Sequence, residues 1–250
     1  VGISNYLLRW YCFLLLLYAI SRQKSTICCD RAFYENGNLS TGDKKLFENV
    51  EKIYWRYALK TENCFLGAYQ DEKRDYPEIE VLEVKLRQEK QLKRLAEVIM
   101  GAIPYPMLLF FHLDNHIQLY MGMLRQNQAD SGRMTLETME STDWLSEEDA
   151  FWQELAIGKI PATNFYLLYK GLFDTISKHH LSIMNVPTAE ISGHEARDKL
   201  RTIQELEKEI AKLRKQMKLE RQFNRKMEYN SKLQKLKKTK AEIMGQGSKA

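Results

Sequence analysis

The sequence lacks most of the patterns that announce a chemistry. Its 250 residues contain no G-x-x-x-x-G-K-[ST] loop, no G-x-G-x-x-G and no G-x-S-x-G. Phosphate-loop hydrolysis, dinucleotide chemistry and elbow-type ester hydrolysis therefore have no support. Four cysteines (Cys12, Cys28, Cys29, Cys64) form no C-x-x-C pair, which excludes a disulfide-stapled scaffold and the usual zinc spacings. They read as free thiols. The five histidines (His112, His116, His179, His180, His194) show no H-E-x-x-H or other metal spacing. His112 and His116 flank an expected turn, and His179-His180 close a helix where positive charge suits the dipole. No apolar run approaches the roughly 20 residues of a membrane-spanning helix.

What is present is an ordinary globular composition, 44% hydrophobic and 28% charged, with an uneven charge distribution. From Gly193 to Ala250 there are 17 Lys and Arg against 8 Asp and Glu, while the rest of the chain carries 21 against 25. A mildly acidic body is joined to a basic tail, which suits nucleic acid or an acidic protein surface as a partner.

The longest apolar run, Trp10–Ile20, has the length of a signal-peptide core but no small-x-small cleavage site after it. The first methionine is Met100. Residues 1–22 are read as an extraneous apolar extension rather than a membrane anchor.

The remainder predicts an α/β fold, a small mixed sheet packed with helices, over residues 23–186. A linker at 187–193 and a basic helical tail at 194–244 follow. Leu46, Phe47, Val50, Ile53, Tyr54 and Tyr57 recur at helical steps after capping candidates Ser40, Thr41 and Asp43. Residues 78–87 alternate as a strand, and 88–102 return to helix, stopped by Pro104 and Pro106. Residues 107–112 and 116–123 read as a buried hairpin and 134–139 as an edge strand. Ser146 is the expected cap of a short helix carrying Phe151, Trp152 and Leu155, and a longer helix spans 164–178.

In the tail, Ile203, Leu206, Ile210, Leu213 and Met217 alternate at coiled-coil steps. The phase slips near residues 218–224, after which Leu219, Phe223, Met227, Leu233, Leu236 and Ile243 mark a rotated stripe. One long helix whose seam changes partner and a bend into a helical hairpin both fit. Either form needs a partner for its apolar stripe, a second copy through residues 200–243 or another protein. Lys215, Lys218, Arg221, Arg225 and Lys226 on the outer face are the candidate partner or nucleic-acid contacts. No aromatic interleaving for base stacking is visible.

The one constellation with a candidate chemistry is Glu83-Val84-Lys85. Period-two geometry puts Glu83 and Lys85 on one face of a strand. This resembles the E-x-K of PD-(D/E)XK nucleases, in which a carboxylate binds Mg²⁺ or Mn²⁺ and a lysine steadies charge. Glu80 or Glu48 would be the further carboxylate, with Glu83, Lys85 and Glu80 catalytic and Glu83, Glu80 and Glu48 metal-binding. Asp71 and Asp75, the alternative acids, fall in an expected loop, and Glu/Lys pairs on strands are commonly solvated faces.

Six stretches come in the order of a known family: Ala32–Asn36, Ile53–Leu59, Glu78–Leu86, Ala102–Pro106, Thr142–Trp144 and Glu220–Lys226. From about Lys24 onward the chain resembles the bacterial family known as domain of unknown function 4391. That resemblance implies a cytoplasmic protein without established activity, encoded near helicases and DNA methyltransferases in restriction-like or phage-defence loci. It also implies that position 85 is not restricted to lysine. The expected function is thus an accessory subunit without a cofactor, its tail docking a helicase or methyltransferase. Metal-dependent cleavage is the alternative.

Overall fold

A computed structural model describes the backbone of residues 26–28 and residues 39–64, 66–127, 134–156, 159–160 and 162–245. The apolar run of residues 1–22 and the stretch Ala32–Asn36 lie outside the described residues. Among those described, no helix is long and apolar enough to cross a membrane.

The chain divides into two compact units, meeting between Phe173 and Asp174. The first is built on a mixed sheet with strands β1 (Thr26–Cys28), β2 (Val50–Leu59), β5 (Ile79–Leu86), β6 (Met107–Leu113), β7 (His116–Gln126) and β8 (Met134–Ser141), in the order β1-β2-β5-β6-β7-β8. A short β9 (Leu145–Ser146) adds to β7, and β3 (Tyr69–Gln70) with β4 (Asp75–Tyr76) makes a separate ribbon. Among the described strands only β5 and β6 run parallel, joined by helix α3 (Leu92–Ala102). A parallel pair needs such a crossover, and Gln88–Ala102 is the helical pattern that supplies it. Shorter helices are α1 (Thr41–Leu46), α2 (Thr61–Cys64) and α4 (Phe151–Glu154), and α5 (Phe165–Ile183) begins in this unit.

Helix α3 buries Leu92, Leu95, Ala96, Ile99 and Met100 against Leu82, Val84, Met107, Leu109 and Phe111 of the sheet. Gly122 of β7 lies in this contact. A Cβ at Gly122 would come within 2.3 Å of Leu136 Cδ1 and 2.9 Å of Met100 Sδ.

Strand β7 outruns β6, so Gly122, Leu124 and Gln126 turn their backbone groups toward a strand that is no longer there. Two tyrosines take its place. The Tyr169 hydroxyl accepts the Gly122 N–H at 3.0 Å and faces the carbonyls of Met107 (2.8 Å) and Gly122 (3.0 Å) as donor. The Tyr76 hydroxyl accepts the Leu124 N–H at 3.0 Å and donates to its carbonyl at 3.2 Å. Gln126 N–H donates to the Lys73 carbonyl at 2.8 Å.

Several expectations need correction. The helix expected from Ser40 through Tyr57 ends at Leu46, followed by a 3-10 turn over Phe47–Asn49, and Val50 onward is strand β2. Ser40 does cap, accepting the Asp43 N–H at 3.1 Å. Register shifts at Val50/Lys52 and Trp55/Tyr57 break the period of two in β2 and leave apolar spacings that mimic a helix. Ser146 lies in β9 and caps nothing; the Asp149 carboxylate accepts the Phe151 N–H at 2.9 Å instead. The strand expected at 78–87, the buried hairpin and the edge strand β8 are all present, although β5 is buried on both faces from Ile79 to Val84.

The second unit holds the end of α5 and helices α6 (Gly193–Leu219) and α7 (Phe223–Ile243). Leu181, Val186, Ala196, Leu200 and Ile203 form its core, with Ile243 and Met244 packed on it. The end of α7 therefore returns to the start of α6. Lys240 Nζ pairs with Glu207 at 2.6 Å. Of the two forms the sequence allowed, the tail is a hairpin, turning at Glu220–Gln222.

Replacing Tyr169 by Phe leaves the Gly122 N–H and the Met107 carbonyl buried without their partner. Urea unfolding is expected to show a loss of about 2 kcal/mol. Leu167→Ser, on an exposed position of the same helix, should change stability by less than about 0.5 kcal/mol.

Candidate functional site

The alternation of β5 decides where the E-x-K residues stand. Glu80, Leu82, Val84 and Leu86 face α3, while Val81, Glu83 and Lys85 face the other way, level with Leu108, Phe110 and His112 of β6. Glu83 and Lys85 thus share a face, and Glu80 lies on the opposite one. Glu48 is exposed on the 3-10 turn before β2. The four residues are not brought together.

The carboxylates of Glu83 and Glu80 each have a structural partner. One oxygen of Glu83 receives Arg56 through Nε and Nη2, both at 2.7 Å. The guanidinium lies 4.5 Å from the centre of the Tyr54 ring, and the exposed Lys85 ammonium lies 5.9 Å from the same ring. His112, half-buried, has its pKa pulled below its ordinary value by burial, against the opposing fields of Glu83 and Glu147. Among the described residues no set of three His, Cys, Asp or Glu is placed to hold a metal ion. Asp71 and Asp75 belong to the β3–β4 ribbon; Asp71 accepts the Lys73 and Arg74 N–H groups at 2.7 Å and closes its turn.

Glu80 is 2% exposed and accepts the Trp55 indole N–H at 2.5 Å. Burial pushes its carboxyl up to about 7, the neighbouring Glu78 adds to the rise, and the indole bond opposes it.

A cavity of about 140 Å³ is lined by Leu59, Cys64, Leu66, Ile160, Ala162 and Leu168. The Cys64 thiol donates to the Lys60 carbonyl at 3.0 Å, and burial raises its pKa. An inert, protonated thiol results.

The cations Lys215, Lys218, Arg221, Arg225 and Lys226 gather around the turn between α6 and α7, all exposed. With them stand Leu219, Phe223 and Met227, which are exposed too. These belong to the rotated stripe beyond the seam's phase slip. The slip is the signal, because a stripe that leaves its seam at a turn has no helix to cover it. Sequence reasoning missed Arg56, and it missed the places of Tyr54 and His112 beside Glu83 and Lys85. His112 was read as a turn flank, and the bulges of β2 hid the face on which Arg56 emerges.

Comparison with known proteins adds one finding. A family model described as a domain of unknown function (DUF4391) matches residues 30–239. The chain belongs to that family. No curated protein and no solved structure matches it. The match to DUF4391 takes in all of α6 and most of α7, so the hairpin is part of the family's unit and not an appendage to it.

Two predictions separate structural from chemical roles on β5. The folded Glu80 holds a proton that the unfolded chain has released between about pH 4.5 and 7, so its contribution to stability falls as pH rises through that window and is level above it. Glu80→Gln keeps an acceptor for Trp55 and should match the parent at pH 4.5 but exceed it at pH 8 by on the order of 2 kcal/mol in denaturant titrations. Glu83→Ala strands Arg56 and should cost about 1–3 kcal/mol, whereas Lys85→Ala should cost less than about 0.5. Equal costs from the two would show that Lys85 shares the structural role of Glu83.

Proposed function

We propose that the chain is an accessory subunit that works with a DNA-processing enzyme, a helicase or methyltransferase, in a restriction-like or phage-defence system, and that the α6–α7 hairpin is its interaction arm. The observation that carries this reading is the hairpin turn, where exposed apolar side chains stand among exposed cations. Large apolar groups are left in water at a cost, and their clustering at one end of an element marks an interaction surface. The surrounding positive charge selects an acidic protein or a nucleic acid and works against pairing with a second copy.

Metal-dependent cleavage through Glu83 and Lys85 with Mg²⁺ or Mn²⁺ has less behind it. Glu83 is engaged by Arg56, Glu80 lies across the sheet, and Glu48 lies on the turn that precedes β2. The body is then a scaffold and the arm the working part, with no cofactor required.

The test is co-elution with a helicase or methyltransferase of such a system, in the presence of DNA, at about 0.1 M salt. The full chain should travel with the enzyme. A variant with Lys215, Lys218, Arg221, Arg225 and Lys226 all changed to Glu should elute alone at an unchanged molecular mass. Separate elution of the parent, or retention of the variant in the complex, would sink the accessory reading.

A further inference from the structure

Among the described residues, the large apolar side chains most open to solvent cluster at the hairpin turn: Leu219 is 74% exposed, Phe223 73% and Met227 53%. Phe223 and Met227, four residues apart, share one face of α7, and Leu219 is the last residue of α6, across the Glu220–Gln222 turn. Lys212, Arg214, Lys215, Lys218, Arg221 and Lys226 surround them and have no ion-pair partner among the described residues. Between Lys212 and Glu228 the only acids are Glu220 and Glu228. Glu220 is turned inward on the turn itself: one oxygen accepts the Arg221 and Gln222 N–H groups at 2.8 and 3.0 Å, and the other lies 3.8 Å from Arg225.

The two helix starts make the same point by contrast. Helix α6 opens with a full capping box, Ser192 and Glu195 bonded reciprocally. Helix α7 opens with no side-chain cap and no acid, and with Arg225 and Lys226 in its first turn. Positive charge at a helix N-terminus opposes the macrodipole and is destabilising. The sequence accepts that cost together with three exposed apolar groups.

An anionic occupant follows from the charge. A protein groove would have to crowd several carboxylates around an apolar pocket against their own repulsion, whereas a nucleic-acid strand carries that charge density by construction. Bare phosphates, in turn, have no use for Leu, Phe and Met. Cations on phosphates with an apolar side chain entering between bases satisfy both halves of the surface. We propose that the hairpin tip is a nucleic-acid wedge: Phe223, flanked by Leu219 and Met227, enters beside an unstacked base, while Lys215, Lys218, Arg221, Arg225 and Lys226 hold the neighbouring phosphates. Single strands and forks are preferred over continuous duplex, because their bases leave the stack at lower cost. The inference rests on the DNA-associated reading above and names the ligand of its arm.

The experiment uses the full chain with single-stranded, forked and duplex DNA carrying 2-aminopurine, following anisotropy across a salt series and 2-aminopurine emission. The parent should raise emission on fork and single strand as the base leaves its stack. Phe223→Ala, at an exposed position and checked for helicity by circular dichroism, should lose that rise. It should also bind at least about 5-fold more weakly with an unchanged salt slope. Lys218→Gln with Arg225→Gln should instead flatten the slope by about 0.7 per cation on single strands. Phe223→Ala that binds and raises emission like the parent would overturn the wedge. So would a parent that binds no DNA at low salt while still co-eluting with its enzyme, which would make the tip a protein-docking surface. DNA binding and emission as expected, without co-elution, would overturn the accessory reading alone.

Discussion

The sheet depends on how the far end of β7 is satisfied. Strand β6 starts at Met107, and β7 continues past it to Gln126. On one side β8 pairs with that overhang; on the other, backbone donors and acceptors face the interior. Buried peptide groups without partners cost about 1–3 kcal/mol each, so the overhang needs substitutes. Tyr169 and Tyr76 are each able to accept and donate at one oxygen, which is what a missing strand residue would do. Both are fully buried, and burial raises both phenol pKa values, holding the protons that the carbonyls need. Their rings meet edge-on at 5.8 Å between centroids. The start of α5 and the β3–β4 ribbon are thereby bound to the same few backbone groups.

With the strands fixed, the parity of β5 distributes the charged groups. A three-residue separation sends Glu80 and Glu83 to opposite faces, and no rotamer brings them together across a pleated strand. Glu80 is buried beside Trp55, where burial favours the protonated carboxyl. Glu83 emerges beside Arg56 and stays paired. The same pattern that looked like a metal-binding strand thus resolves into one buried hydrogen-bond acceptor, one ion pair and one solvated lysine over a tyrosine ring.

How much of this was legible follows from the strength of each local signal. Strand β5, helix α3 and the β6–β7 hairpin were readable because their periods run unbroken and Pro104 and Pro106 mark the boundary. Asp114 takes the left-handed backbone (φ 51°) that its side chain tolerates in the turn. Strand β2 was not readable, because two register shifts within ten residues convert alternation into spacings of three and four. The caps were partly readable: Ser40 and its Asp43 stand as expected, whereas Ser146 was drawn into β9 and Asp149 replaced it. Within the candidate site, the positions of Glu83 and Lys85 on one face were legible from parity alone. Their partners Arg56 and His112 come from other strands, and no local pattern carries that pairing.

The hairpin shows why its tip is free to differ. From the Glu207–Lys240 pair, an antiparallel register brings buried Leu213 level with buried Leu233. At the base, Ile243 and Met244 pack with Leu200 and Ile203. The helices are therefore held together at their base and middle, and the seam ends where Met217 gives way to Leu219. Beyond that point the residues add nothing to the pairing of α6 with α7. A tip chosen only for solubility would carry acids in the first turn of α7 and polar groups in place of Phe223. The opposite choice at both kinds of position, within ten residues, argues that this end is shaped by what it contacts rather than by the hairpin's own stability.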